Sequence, residues 1–145
     1  MQADSEKEIL VHIPVDGVTL EGALAVPANA QGLVLFVHGS GSSRFSPRNT
    51  HVAHQLQVRG LGTLLLDLLN EREAYDRHNV FDIPLLAGRM DEAVRFARSD
   101  IELSSLRIGL FGASTGAAAA LVAVGHAVAA IAIGLHLEET RAVAA

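Results

Sequence analysis

Residues 106–116 read LRIGLFGASTG, and the reading of this stretch decides the fold. Leu106 to Phe111 reads as a short buried strand, with Ile, Leu and Phe filling it. From Thr115 the chain continues as TGAAAALVAV (115–124), a run of small, strong helix formers. Between them sits G-x-S-x-G, Gly112-Ala113-Ser114-Thr115-Gly116, the pattern of a nucleophile elbow. A serine hydroxyl is a weak nucleophile, and a sharp strand-to-helix turn lifts it clear of the backbone. The turn is tolerable only where its flanks are small, which Gly112 and Gly116 satisfy. The Thr115 amide, at the N-terminus of the following helix, then faces an oxyanion forming on a bound carbonyl. The pentapeptide alone also fits a tightly packed glycine turn; the strand before it and the helix after it favour the elbow.

Outward from the elbow, the same alternation repeats. KEILVHIP (7–14) and VTLEGALAV (18–26) are strand-like and joined at Asp16-Gly17, residue types that accept the positive φ of a hairpin turn. GLVLFVH (32–38) and GTLLLDLL (62–69) are nearly continuous apolar runs, as expected of strands buried on both faces. Between them, Ser46 and Pro47 mark a helix start and Gly60 its stop, with Val52, Ala53 and Leu56 inward and His51 and His54 on the other side. Asn70 to Asn79 reads as a charged loop. Asp82 caps a helix to about Arg98, with Ile83, Leu86, Met90, Val94 and Ala97 at helical spacing. VAAIAI (128–133) makes one more short strand. Alternating strands and helices predict a mostly parallel sheet of about six strands, led by an antiparallel hairpin and covered by helices on both faces. Sites in such sheets lie at the carboxyl ends of the strands, which brings His38-Gly39, the loop after Leu69 and Ser114 to one edge.

Composition excludes several classes. The 145 residues carry a net charge of -5 with no basic run, which argues against nucleic acid and anionic membrane surfaces. There is no Cys, hence no thiolate nucleophile and no Cys-ligated metal. The N-terminal MQADSEKEIL lacks the basic-then-apolar pattern of a secretory signal, and no stretch has bilayer-spanning length. The expectation is one cytoplasmic domain that needs no cofactor.

Four blocks in order, FVHGSGSSRFSPRN, LLLDLLNERE, RHNVFDIPLLAGRMDEAV and GLFGASTGAAAALVA, resemble the dienelactone-hydrolase-like branch of the α/β-hydrolase family over roughly residues 10–130. The resemblance implies a truncated α/β-hydrolase fold with Ser114 as nucleophile. It also implies an oxyanion hole from the Thr115 amide and an amide of Gly39 or Ser40. Family members place a triad acid and histidine on loops after later strands, whereas 31 residues follow Ser114 here. After about residue 130 the sequence departs from the family, so the reading is of a chain whose usual Asp and His loops are missing.

Substitutes for those groups follow from position. His126, twelve residues beyond Ser114 along a helix, is about 18 Å away and out of reach. His136 lies two residues past the last strand and emerges beside Ser114 if that strand neighbours the elbow strand, with Glu138 or Glu139 to orient it; a solvated tail is the plainer alternative. His38 is a second candidate base, with a structural role in shaping the oxyanion loop as its plainer reading. Glu71 and Glu73 can reach the site from their charged loop, which otherwise is solvated. A metal reading would take His51 and His54 with His78 or Asp82, but the spacing lacks the H-E-x-x-H pattern and surface histidines explain it better.

The resulting expectation is a serine-type hydrolase of small activated carboxylic esters, extending to phosphoesters and phosphotriesters. The competing readings are a non-catalytic truncated fold that self-associates and a His-ligated metal-dependent hydrolase. An apolar edge at residues 128–133 further predicts a homo-oligomer, a dimer or tetramer.

Overall fold

A computed structural model describes residues 7–38, 43–112, 115–126 and 130–134. The chain opens with β1 (Ile9–Val15) and β2 (Val18–Ala25), antiparallel and in register from Ile9↔Leu24 to Val15↔Val18. Their two-residue loop has Asp16 at φ 43° and Gly17 at φ 80°. Two consecutive positive φ values make the turn whose twist matches that of the paired strands, so the Asp-Gly dipeptide sets the register. Then follow β3 (Gly32–Val37), α1 (Pro47–Val58), β4 (Leu61–Leu66), α2 (Glu71–Ala74) and α3 (Arg77–Val80). The chain continues through α4 (Ile83–Ser99), β5 (Arg107–Gly112), α5 (Thr115–His126) and β6 (Ala130–Gly134).

The six strands form one sheet in the order β1-β2-β4-β3-β5-β6. β2 meets β4 antiparallel, while β4, β3, β5 and β6 run parallel. This is the expected mostly parallel sheet behind an antiparallel hairpin.

The period of two along each strand divides the core between the faces. Leu33, Leu35 and Val37 of β3 join Leu64, Leu66, Ile108 and Leu110 in one cluster, closed by Leu86, Met90, Ala93, Val94 and Ala97 of α4 and Ala119 and Ala120 of α5. Val34 and Phe36 point the other way, onto Leu65, Phe111 and Ala53 of α1. The Phe36 and Phe111 rings meet at 4.6 Å between centroids. Each fully buried leucine contributes about 2 kcal/mol. The core is therefore two layers, one on each face of the sheet, with β3 contributing to both.

Helix starts follow the predicted caps. Ser46 Oγ accepts from the Asn49 amide with Pro47 leading α1, and Asp82 Oδ1 accepts from the Leu85 amide at 3.0 Å. Gly60, at φ 82°, ends the first. Asn70–Asn79 differs from its reading as a loop: it folds into the one-turn helices α2 and α3. Asn70 and Glu73 form a reciprocal capping box, which is enough to order a single turn. No helix among the described residues is long and apolar enough to cross a membrane.

Candidate active site

The parallel registers level three strand ends. Val37 is paired with Leu66 of β4 on one side and with Gly112 of β5 on the other. The next residue of each strand therefore emerges at one edge, which is how β3 delivers His38 and β4 delivers Asp67 side by side.

His38 Nε2 lies 3.1 Å from Asp67 Oδ1, each side chain about one-fifth exposed. The same Oδ1 accepts the Arg44 backbone N–H at 2.9 Å, and the Arg44 guanidinium donates to Asp67 Oδ2 at 2.6 Å. Arg44 also reaches Glu21 Oε2 at 3.1 Å. Burial pushes the Asp67 carboxyl up, but bonds from His38 and from the Arg44 amide and side chain, with the charge of His38, together hold it below its ordinary range. One carboxylate thus binds both ends of the segment that runs from His38 to Arg44.

The two glycines of the G-x-S-x-G pattern are tightly packed. A Cβ on Gly116 would stand 2.5 Å from the Val37 carbonyl oxygen and 2.8 Å from that of His38. On Gly112 it would stand 2.7 Å from the Gly116 carbonyl. The start of α5 is pressed against the ends of β3 and β5, a contact only glycine allows. Thr115, the first residue of α5, faces the same cleft as His38. Ser114, Gly39, Ser40 and His136 lie outside the described residues.

That cleft, about 760 Å³, opens at the strand ends and is lined by His38, Arg44, Asp67, Glu71 and Thr115, with Leu68, Leu69 and Leu86 among its apolar walls. Glu71 is exposed on α2 and borders the cleft. Glu73 does not face it. Its carboxylate takes two bonds from Arg89, at 2.6 and 3.0 Å, and one from the Asn70 amide, while Arg89 also donates to the Leu68 carbonyl. The Arg89 bonds, against the opposing effect of burial, hold the Glu73 carboxyl below its ordinary range.

His51 and His54 are exposed on α1, as expected. No group of three or more His, Cys, Asp or Glu suited to a metal ion occurs among the described residues. Sequence reasoning missed Asp67 and Arg44. Asp67 had a local signal, as the one acid inside an otherwise apolar octet; Arg44 had none.

Comparison with known proteins agrees with this geometry. No family model matches the chain. A Mycobacterium tuberculosis (H37Rv) protein, named provisionally as a phosphoribosyl transferase, is 49% identical over 113 residues, covering 78% of this chain and 26% of that protein. A dienelactone hydrolase from Anabaena variabilis superposes with a TM-score of 0.85 at 44% identity, over 89% of this chain and 62% of that one. A cold-adapted esterase from an Arctic intertidal metagenomic library gives a TM-score of 0.74 at 20% identity, over 92% and 62%. The chain therefore spans about a quarter of the curated relative's length and under two thirds of the dienelactone hydrolase's. Sheet order, elbow packing and superposition together define the α/β-hydrolase fold. Within it, the chain's resemblance is to the dienelactone-hydrolase-like branch, as the four sequence blocks implied.

Proposed function

We propose that this chain is a serine-type hydrolase of small, activated carboxylic esters, with Ser114 as nucleophile. The observation that carries the reading is the Asp67–His38 pair at the mouth of β3, beside the elbow packed on the same strand. Adjacent parallel strands are about 4.8 Å apart, so the ends of β4 and β5 are about 10 Å apart with β3 between them. An imidazole with one hydrogen bond on each side spans that gap.

In this reading Ser114 attacks the ester carbonyl carbon and its hydroxyl proton passes to His38. The amide of Thr115 and that of Gly39 or Ser40 hold the resulting oxyanion. Collapse breaks the bond to the alcohol, which leaves with the proton from the imidazolium. Water then cleaves the acyl-serine through the same imidazole, releasing the acid and restoring the serine. Asp67 orients His38 and stabilises its charged form. His136 is the alternative base, and Glu71 a carboxylate within reach of the cleft. The same nucleophile and anion hole extend to phosphotriesters.

Phosphoribosyl transfer, the name borne by the longer relative, fits less well. Its donor is a diphosphorylated sugar, and an acidic cleft whose arginine is already ion-paired offers such a donor no cationic cradle among the described residues.

The test is hydrolysis of 4-nitrophenyl acetate by the purified protein and by Ser114→Ala. Loss of at least about 10³-fold in kcat is expected. Equal activity in both proteins would reject Ser114, and no activity in either would leave the non-catalytic, self-associating reading.

A further inference from the structure

The charge of the cleft narrows the substrate. Among the described residues its lining holds three carboxylates, Glu21, Asp67 and Glu71, against one guanidinium, Arg44. Arg44 is committed: it bonds Asp67 at 2.6 Å and Glu21 at 3.1 Å, and its side chain is 15% exposed. It is not left over to receive an anionic group of a ligand. Even with His38 protonated the lining stays acidic.

The remaining walls are apolar. Leu68, Leu69, Val80 and Leu86 line the inner surface, and Phe45, 72% exposed, stands at the rim with the Arg44 guanidinium 4.4 Å over its ring. An acyl chain or aryl ring can lie on these groups without ion pairing. An ionised acid in the same place would be desolvated against carboxylates with no free cation among the described residues to meet it. Among the described residues the preference for negative charge is local, at the oxyanion position by Thr115, where charge arises during the reaction and is not carried by the substrate.

We infer that the cleft selects esters that are neutral or cationic and rejects esters bearing an ionised acid group. This rests on the ester-hydrolase reading above and deepens it. It also divides the phosphorus substrates: a neutral phosphotriester is admitted, whereas an anionic phosphomonoester is not.

The experiment uses the full chain and three 4-nitrophenyl esters of matched length: butyrate, hemisuccinate and 4-(trimethylammonio)butyrate. At about 20 mM salt, kcat/KM for the hemisuccinate is expected to fall roughly tenfold or more below the butyrate, with the cationic ester at or above it. Raising salt to about 0.5 M narrows the gap several-fold, because the Debye length becomes shorter than the distances across the cleft. Glu71→Gln, on the exposed rim, narrows the hemisuccinate-to-butyrate ratio about twofold or more. Equal kcat/KM for butyrate and hemisuccinate at low salt, or a gap indifferent to salt, overturns the inference.

A second readout is independent of the chemistry. NMR titrations followed at the Thr115 amide compare butyramide, succinamate and 4-(trimethylammonio)butyramide. Weaker binding of succinamate supports the charge selection even if no Ser114-dependent hydrolysis is found. Equal or tighter binding of succinamate rejects it even if the enzyme reading stands.

Discussion

Asp67, one residue past β4, and Glu73, on α2, lie six residues apart and each ends on an arginine, yet they are different devices. Asp67 sits at the level of the strand ends, shares its oxygens with His38 and Arg44, and faces the cleft. Glu73 turns away into a closed set of bonds with Arg89, the Asn70 amide and, through Arg89, the Leu68 carbonyl. The difference lies in the partner. A guanidinium keeps its proton at every working pH, so the Glu73 pair can only hold α2 in place. An imidazole gives up and takes a proton near neutral pH, so the Asp67 pair can take part in a reaction. On the proposed function the two pairs, Arg89–Glu73 at 2.6 Å and His38–Asp67 at 3.1 Å, separate into a scaffold bond and a chemical one.

The largest effect expected from this contrast is on the chemical side. His38→Gln keeps a polar side chain of similar reach but cannot cycle a proton. It should lower kcat on 4-nitrophenyl acetate by about 10³-fold while the melting temperature moves by only a few degrees. A drop in stability without a drop in kcat would make His38 a brace for its loop instead of a base. The scaffold side should respond the opposite way. Arg89 is buried, its side chain 9% exposed, and Arg89→Met leaves Glu73 without its cation. That costs about 3 kcal/mol, or roughly 10 °C in melting temperature, with kcat of the folded fraction within a few-fold. An unchanged melting temperature with a collapsed kcat would exchange the two roles.

How much of this could be read from the chain depends on the range of the interactions involved. Apolar octets, the Asp16-Gly17 turn and the Ser46-Pro47 and Asp82 caps are local signals, and each element they predict forms within a few residues of its expected bounds. The strand and helix that flank the G-x-S-x-G pattern were legible for the same reason, and the close approach of Gly112 to Gly116 lies within five residues of sequence, whereas the Val37 carbonyl against which Gly116 packs is remote. The α2–α3 segment was missed because a one-turn helix has no apolar periodicity, although Asn70 and Glu73 already stood at capping-box spacing. Asp67 as partner of His38 was out of reach. Their meeting depends on the pairing of Val37 with Leu66 across two strands, and no local pattern encodes a register between segments nearly thirty residues apart.

The smallest effect is expected in acid, and it separates the two carboxylates by thermodynamics alone. Both are held below their ordinary ranges in the folded chain. A depressed carboxyl stabilises the fold above its unfolded pKa, and that contribution is lost as pH falls through the folded value. The loss should therefore begin below about pH 5 and deepen toward pH 3. For Glu73 the leading influence is the Arg89 bond, which favours ionisation, whereas for Asp67 it is burial, which opposes it. Glu73→Gln should accordingly flatten more of the acid limb than Asp67→Asn, by roughly 1 kcal/mol against less than that, given that both sites are partly open to solvent. Urea midpoints between pH 3 and pH 7 would measure it. If Asp67→Asn flattened the limb more, Asp67 would be the stronger scaffold bond, and its pairing with His38 would be architecture before it is chemistry.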